Sequence, residues 1–371
     1  MQSVARETIR LTSRIARSYR VDRTLGALDI PLADVLNTTI EYDAPPTVEE
    51  PWRVGLILGP SGSGKTAIAR KHYGAGLYPG FDWSAERAIV DQFDARSFDE
   101  LVAAFASVGL GSLPSLARPY ATLSGGERFR CDVVKALLDF GAERDVVAID
   151  EFTSLLDRNA ARAGAIALRK AFDRNVFGKT RLVAITCHAD VETWLEPDWT
   201  LDMTTGRLRR GRLRRPELQF RLYEGGRRFW PLFRRDHYLN GALNRASRVF
   251  IATSREDGRE RPVAFIAIMQ LEGWRGVKRV HRLVVRPEYQ GIGLGGALLS
   301  AIAQRVAREG ATLRIISGNL FFLRKLARSK NWRLVASYPH GKTQRRKGRP
   351  EPGSFGRALA SFEWRGAMDC Q

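Results

Sequence analysis

The sequence predicts an α/β protein of two domains, and three observations predict it. A chain of 371 residues is longer than one ordinary core requires. From Arg53 onward, short apolar runs alternate with segments of helical periodicity, the pattern of layered α/β architecture. Two of those runs, one in each half, break into glycine-rich turns that resume as helices. The composition divides the chain into residues 1–35, 36–206, 207–235 and 236–371.

Residues 1–35 read as a helix followed by a short extended arm. Val54 to Leu58 is a run suited to a buried strand, and it breaks into Gly59, Pro60, Ser61, Gly62, Ser63, Gly64, Lys65 and Thr66 before a helix begins. Glycines there let backbone N–H groups converge on phosphate oxygens, and the helix N-terminus adds positive charge. Lys65 would reach the β- and γ-phosphates and Thr66 would hold Mg²⁺. Ala88 to Gln92 reads as a short strand, Phe98 to Val108 as a helix, and Gly109 to Pro119 as a loop. Ser124 opens a helix running to about Phe140. Asp145 to Glu151 is an apolar strand capped by two carboxylates, and Asp150 there is placed as the second Mg²⁺ anchor. A helix over 157–174, a strand over 181–187 followed by His188, and a closing strand and turn over 198–206 complete this half.

Together these motifs resemble the ATP-binding-cassette (ABC) ATPases, in the family's order. They are Gly59–Thr66, Gln92, Leu123-Ser124-Gly125-Gly126-Glu127, Val146–Glu151, Ser154–Asp157 and His188. The resemblance covers 53–206 and implies an N-terminal P-loop NTPase domain that binds ATP and Mg²⁺. It assigns ATP contacts to Ser124, Gly125, Gly126, Glu127 and Asp157, metal contacts to Thr66, Gln92 and Asp150, and catalysis to Glu151 and His188. It also implies a homodimer that sandwiches ATP, the signature of one protomer facing the glycine loop of the other. Leu123 follows Gln92 by only 31 positions, less than transporters use to grip membrane subunits, so no transmembrane transporter subunit is expected. Tyr42 is the candidate for the aromatic that stacks on the base.

Residues 207–235 carry eleven arginines against Glu217 and Glu224. Arg209, Arg210, Arg212, Arg214, Arg215, Arg227 and Arg228 are candidates for nucleic-acid phosphates, and Trp230 for stacking on an unpaired base. The alternative is a solvated hinge with a few core aromatics.

From Asp236 a second domain is expected: a helix over 237–246, three strands to Val285, a glycine loop, a long helix to Glu309, then strand, helix and two further strands. Leu283, Val284, Val285, Gln290, Gly291, Ile292, Gly293, Leu294, Gly295 and Gly296 resemble the cofactor loop of the GNAT family of acyl-CoA-dependent N-acyltransferases. That implies an α+β domain with a mixed, mostly antiparallel sheet, and acetyl-CoA or a related acyl-CoA as cofactor. The family often places a tyrosine on the helix after the fifth strand, and the helix at 319–330 has none. His281, His237 and Tyr238 are the candidates for acid or base. The His237-Tyr238 pair is similar to Mom-type GNAT enzymes that modify adenine in phage DNA.

The charge is lopsided. Residues 207–371 hold 36 Lys and Arg against 12 acids, +24 of the chain's net +20, and residues 36–206 carry −6. Such asymmetry points to a polyanionic partner. The three cysteines are far apart, no run approaches the ~18 residues of a membrane span, and the first residues are polar and Arg-rich, which suggests a cytoplasmic protein with no membrane partner. The reading these features favour is an ATP-dependent acyltransferase acting on a nucleic-acid base, DNA before RNA. Its alternatives are an acyltransferase for a protein or small amine, and an ABC ATPase that remodels nucleic acid with a non-catalytic GNAT module.

Overall fold

In the computed structural model residues 5–366 are described, except 15, 17, 28–34, 94–95, 111–112, 213–218, 238–241, 257–258 and 339–358. In chain order the elements are β1 (Arg6–Arg14), α1 (Tyr19–Ala27), β2 (Val35–Asp43), β3 (Val54–Leu58), α2 (Lys65–Tyr73), α3 (Phe98–Ser107), α4 (Leu113–Leu116) and α5 (Gly125–Leu138). There follow β4 (Val146–Ile149), α6 (Arg158–Asp173), β5 (Arg181–Thr186), α7 (Asp190–Leu195), β6 (Trp199–Asp202) and β7 (Arg207–Arg210). The last stretch holds β8 (Phe220–Gly225), α8 (Trp230–Phe233), β9 (Arg248–Glu256), β10 (Arg259–Gln270), β11 (Val277–Val285), α9 (Leu294–Arg308), β12 (Thr312–Ser317), α10 (Leu320–Ala327), β13 (Trp332–Tyr338) and β14 (Leu359–Trp364). The chain forms two compact units, one of residues 1–83, 131–157 and 168–216, the other of 84–130, 158–167 and 217–371.

The first unit is built on a five-stranded sheet ordered β4-β5-β3-β6-β7, parallel except for β7. Its central strand β3 is buried at every residue, as a parallel strand covered on both faces must be. Gly55 is required there, because a Cβ would come within 2.1 Å of the Trp199 indole that packs on the strand. β1 pairs antiparallel with β2, Ile9 opposite Ile40, where the leading helix is expected, and the helix of this stretch is the later α1. The reason is a period of two: Glu7, Ile9 and Leu11 are partly buried, while Arg6, Thr8, Arg10 and Thr12 are exposed.

The second unit holds a seven-stranded sheet ordered β13-β14-β12-β11-β10-β9-β8, antiparallel except where β11 meets β12. This is the mixed, mostly antiparallel sheet expected of the C-terminal half. One hydrophobic cluster packs α9 against it through Leu298, Leu299, Ile302 and Val306; a second gathers Trp230, Phe233, Ile251, Phe265 and Val284. The expected strand at 88–92 is a 3₁₀ turn over Ile89–Gln92, touching Pro119 through a single bridge at Ala88. Its β-branched Ile-Val pair imitates a strand. The turn closes because Gln92 Oε1 accepts from the Ser84 N–H at 2.8 Å and Gln92 Nε2 donates to the Arg87 carbonyl at 2.9 Å. Nor is there a helix among the described residues of 237–246; Asn244 Oδ1 instead closes a turn on the Ala246 N–H at 2.8 Å.

The arginine-rich stretch 207–235 contributes to both sheets. β7 pairs with β6, while β8 is an edge strand paired with β9, Phe220 opposite Ser254. Among the described residues no helix is long and apolar enough to cross a membrane.

Candidate functional sites

In the first unit the glycine loop leaves β3 and enters α2. Gly62 and Gly64 take φ of +78° and +86°, the left-handed region that favours glycine. Gly64 caps α2, and a Cβ there would come within 2.5 Å of Ile40 Cδ1 and 3.6 Å of Leu11 Cδ1, so the β1–β2 ribbon flanks the loop. Lys65 is buried and its ammonium donates to the Pro60 carbonyl at 2.8 Å, a bond that curls the loop round the space where phosphate oxygens would sit. Thr66 Oγ1 donates to Asp150 Oδ2 at 2.6 Å. Two hard oxygen ligands thus converge from the loop and from the end of β4, and that donor set suits Mg²⁺. Glu151 follows with φ +50° and Thr153 with +66°, non-glycine residues held in left-handed backbone beside the two carboxylates. Glu151 is exposed, and His188, half-buried at the end of β5, hydrogen-bonds through its backbone N–H to Thr186 Oγ1.

Tyr42 does not offer its ring to a base. It is fully buried, and its hydroxyl donates to Glu7 Oε2 at 3.1 Å and lies 2.9 Å from His72 Nε2. Ile40 and Leu11, which the sequence did not single out, are the apolar side chains next to Gly64.

In the second unit Ser124 and Glu127 form a reciprocal cap on α5. The Ser124 N–H and hydroxyl donate to Glu127 Oε2 at 2.9 Å each, and Ser124 Oγ accepts from the Glu127 N–H. Burial pushes the Glu127 carboxyl up, but bonds from the Ser115 hydroxyl and from Ser124 hold it below its ordinary value. Gly125 and Gly126 start the helix, with open space about Gly125. In the first unit, Asp157 is exposed, and Leu155 beside it is 95% exposed, the most solvent-open large apolar side chain described.

The glycine loop of residues 290–296 lies where the second sheet opens. β11 pairs with β12 only from Val277 opposite Thr312 to Arg279 opposite Arg314. Beyond Arg279 the two parallel strands form no further ladder pairs, so among the described residues the backbone of Leu283, Val284 and Val285 has no strand on that side. A parallel pair that diverges in this way leaves a slot for an extended ligand. At its mouth Gln290 Nε2 donates to the Val285 carbonyl at 2.9 Å, tying the loop to the strand. Gly291 and Gly293 have φ of +81° and +96°, and Gly293 is the N-cap of α9, which runs through Leu294 and Gly295. Ile292 packs against the sheet's core. A Cβ built on Gly296 would lie 2.2 Å from Lys325 Nζ, so an ammonium sits at the first turn of α9. Helix N–H groups and a cation at one point suit a pyrophosphate. Lys325 was not legible in the sequence, since only the fold brings α10 to α9.

His281 sits in a β-bulge. β10 pairs Ala267 with Arg282 but Ile268 with Val280, so His281 is the extra residue. Its Nε2 accepts from the Asn244 N–H at 3.3 Å. Burial, with Arg282, Arg279 and His237 nearby, lowers its pKa to about 4. The ring is neutral at pH 7 and a weak base. His237 is buried and edge-on to Trp230, ring centroids 5.9 Å apart. Tyr238 lies outside the described residues.

The residues of the basic stretch are disposed unevenly. Arg209 forks onto Glu192 at 2.8 and 2.9 Å, Arg210 pairs with Glu50, and Arg212 pairs with Asp198 and Asp173. Trp230 is 6% exposed, tilted against Phe265 at 5.4 Å, and so is a core residue with no face for a base. Arg227 and Arg228 are exposed. Arg214, Arg215 and the basic run 341–349 fall outside the described residues.

Residues 245–331 match the family model described as an acetyltransferase (GNAT) domain. Comparison with curated proteins finds no match. Among solved structures, the chain is similar to an IAA acetyltransferase from Bacillus cereus at 12% identity, over 39% of this chain and 99% of that one, with a TM-score of 0.30. A GNAT acetyltransferase from Elizabethkingia anophelis with acetyl-CoA bound aligns at 12% identity over 39% and 97%, TM-score 0.28. A dimeric ATP-binding cassette in a post-hydrolysis state, bound to ADP and Pi, aligns at 16% identity over 50% and 94%, TM-score 0.35. The family model assigns residues 245–331 alone: they match a GNAT acetyltransferase domain, in a chain whose first half carries motifs resembling those of ABC ATPases.

Proposed function

We propose that the protein hydrolyses ATP as an ABC-type dimer and transfers an acyl group from acyl-CoA to an amine, with a nucleic-acid base as the acceptor. The observation that carries the acyltransferase reading is the divergence of β11 from β12 at Arg279, opening toward the glycine turn that caps α9. Within the slot, the backbone of residues 283–285 would pair with the pantetheine arm, and the first turn of α9 with Lys325 would take the pyrophosphate. The amine nitrogen attacks the thioester carbonyl, the C–N bond forms, the C–S bond breaks, and the amine's proton leaves to balance the departing CoA thiolate. His281 is poorly suited to receive that proton, its pKa being low and its Nε2 engaged. We assign it the holding of the Asn244 turn and leave His237 and Tyr238 as the acid–base candidates.

For hydrolysis, Lys65 and the loop N–H groups would bind the phosphates. Glu151 would orient and deprotonate the attacking water, and His188 would contact the γ-phosphate. Mg²⁺, held by Thr66 and Asp150, would neutralise charge on the phosphates, with Gln92 as a further candidate ligand. A dimer of this kind would cover Leu155, which is bare beside Asp157. The same arrangement would set Ser124–Glu127 of one protomer on the nucleotide of its partner.

The acceptor reading rests on the +24 charge of residues 207–371 and on the exposure of Arg227 and Arg228, and the cytoplasm is the compartment that fits it. A protein or small-amine acceptor is favoured instead by the ion pairs that occupy Arg209, Arg210 and Arg212. The test is transfer of radiolabelled acetyl from acetyl-CoA, with ATP present, to duplex DNA, single-stranded DNA, RNA or a mixture of peptides and polyamines. Label on nucleosides after digestion supports the preferred acceptor; label confined to peptides or polyamines supports the second.

A further inference from the structure

The guanidinium of Arg130, 3% exposed, donates to three main-chain carbonyls. Nε reaches Val108 at 3.1 Å, Nη1 reaches Gly126 at 3.2 Å, and Nη2 reaches Pro287 at 3.3 Å. These carbonyls belong to the end of α3, to the glycines of the 123–127 signature, and to the turn that begins the acyl-CoA loop. A second contact lies beside it. A Cβ on Gly109, φ +88°, would come within 2.9 Å of the Gln290 carbonyl oxygen, and one on Gly291 within 2.8 Å of the Gly109 Cα. Two left-handed glycines thus meet backbone to backbone, and neither tolerates a side chain. Ala167 closes the same point, 2.6 Å from a Cβ on Gly291.

We propose that Arg130 is a positioning residue that couples nucleotide engagement at residues 124–126 to acyl-CoA binding at residues 290–296. This rests on the reading above that the signature takes ATP and the glycine loop takes acyl-CoA. A buried guanidinium must keep its donors satisfied, so a shift of the Gly126 carbonyl on nucleotide binding is passed to the Pro287 carbonyl or leaves a donor unpaired. The packing at Gly109 and Gly291 has no slack to absorb such a shift. Coupling between two bound ligands is reciprocal.

The experiment is calorimetry of acetyl-CoA with the full chain carrying Glu151→Gln, with and without ATP and Mg²⁺. The expected affinities differ between the two states by about 5- to 150-fold. Adding Arg130→Lys should bring that ratio to within about twofold of one, whatever happens to either affinity, because a lysine cannot reach three carbonyls at once. Gly109→Ala, which acts on the same contact without touching the charge, should lower the ratio as well. Equal affinities in the two states, or a ratio preserved in both variants, overturn the coupling while leaving the acyl-CoA reading intact. No acetyl-CoA binding in either state removes the acyl-CoA reading and the coupling with it.

Discussion

The hydroxyl of Thr66 hydrogen-bonds to Oδ2 of Asp150 across 2.6 Å, joining the end of the glycine loop to the end of β4. The neighbouring Glu151 is held at φ +50°, and its N–H donates to Asp150 Oδ1 at 2.9 Å. Glu151→Gln should therefore keep the loop geometry and lower ATP turnover by about 10²- to 10⁴-fold, the usual contribution of a positioned base. Sizing columns should show the mutant as a dimer in ATP and a monomer without it. Chelation of Mg²⁺ should abolish turnover in the wild type. A Glu151→Gln protein that hydrolyses ATP at the normal rate contradicts the assignment.

His281 sets a pH dependence. Its folded pKa, about 4, lies below the ordinary histidine value of 6.5, so between those limits the unfolded chain binds more protons than the folded one. Stability then rises with pH across that window and is lost as pH falls through it. His281→Gln should flatten the melting-temperature slope between pH 6.5 and 4. An unchanged slope in the mutant means that the histidine is freely protonated in the folded state.

Trp230 tests the packing of the second unit. It is enclosed with Phe233, Phe265 and Val284, so Trp230→Ala should cost about 3–5 kcal/mol, the range for emptying a large aromatic site. Thermal unfolding of the full chain measures this. A mutant with an unaltered melting temperature contradicts the core placement.

If nucleic acid is the acceptor, its affinity must fall with salt, by a log–log slope of about −0.9 for each duplex phosphate neutralised. Changing the exposed Arg227 and Arg228 to Ala should flatten the slope by up to about 1.8. Arg209→Ala should leave it unchanged, because that guanidinium already forks onto Glu192. A wild-type slope of zero favours the protein or small-amine acceptor.

The motifs were legible because each depends on backbone conformation that few residues permit. Gly62 and Gly64, then Gly291 and Gly293, stand in left-handed backbone at the starts of α2 and α9, so the residue type reveals the turn. Elements fixed by tertiary packing were misread. Ile89 and Val90 have strand propensity, yet the loop is closed by Gln92 turning back on its own segment. The ribbon of β1 on β2 was hidden because arginines and threonines share its open face, although Ile9 and Leu11 keep the period of two. Trp230 reads as a stacking platform from sequence because composition cannot distinguish a core indole from an exposed one. Arg130, Lys325 and the bulge at His281 act through contacts with distant segments, and no local signal announces them.

The central claim is that acyl-CoA binds at the turn where α9 begins. It is most directly tested by calorimetry of acetyl-CoA with the full chain and with its Gly293→Val variant. At Gly293, φ +96° excludes a β-branched residue without strain, and an added side chain would obstruct the approach to the N–H groups of α9. The account predicts saturable binding to the wild type and at least a tenfold weaker, or undetectable, signal in a folded variant. Absence of binding to the wild type, or equal affinity in the folded Gly293→Val protein, would contradict it.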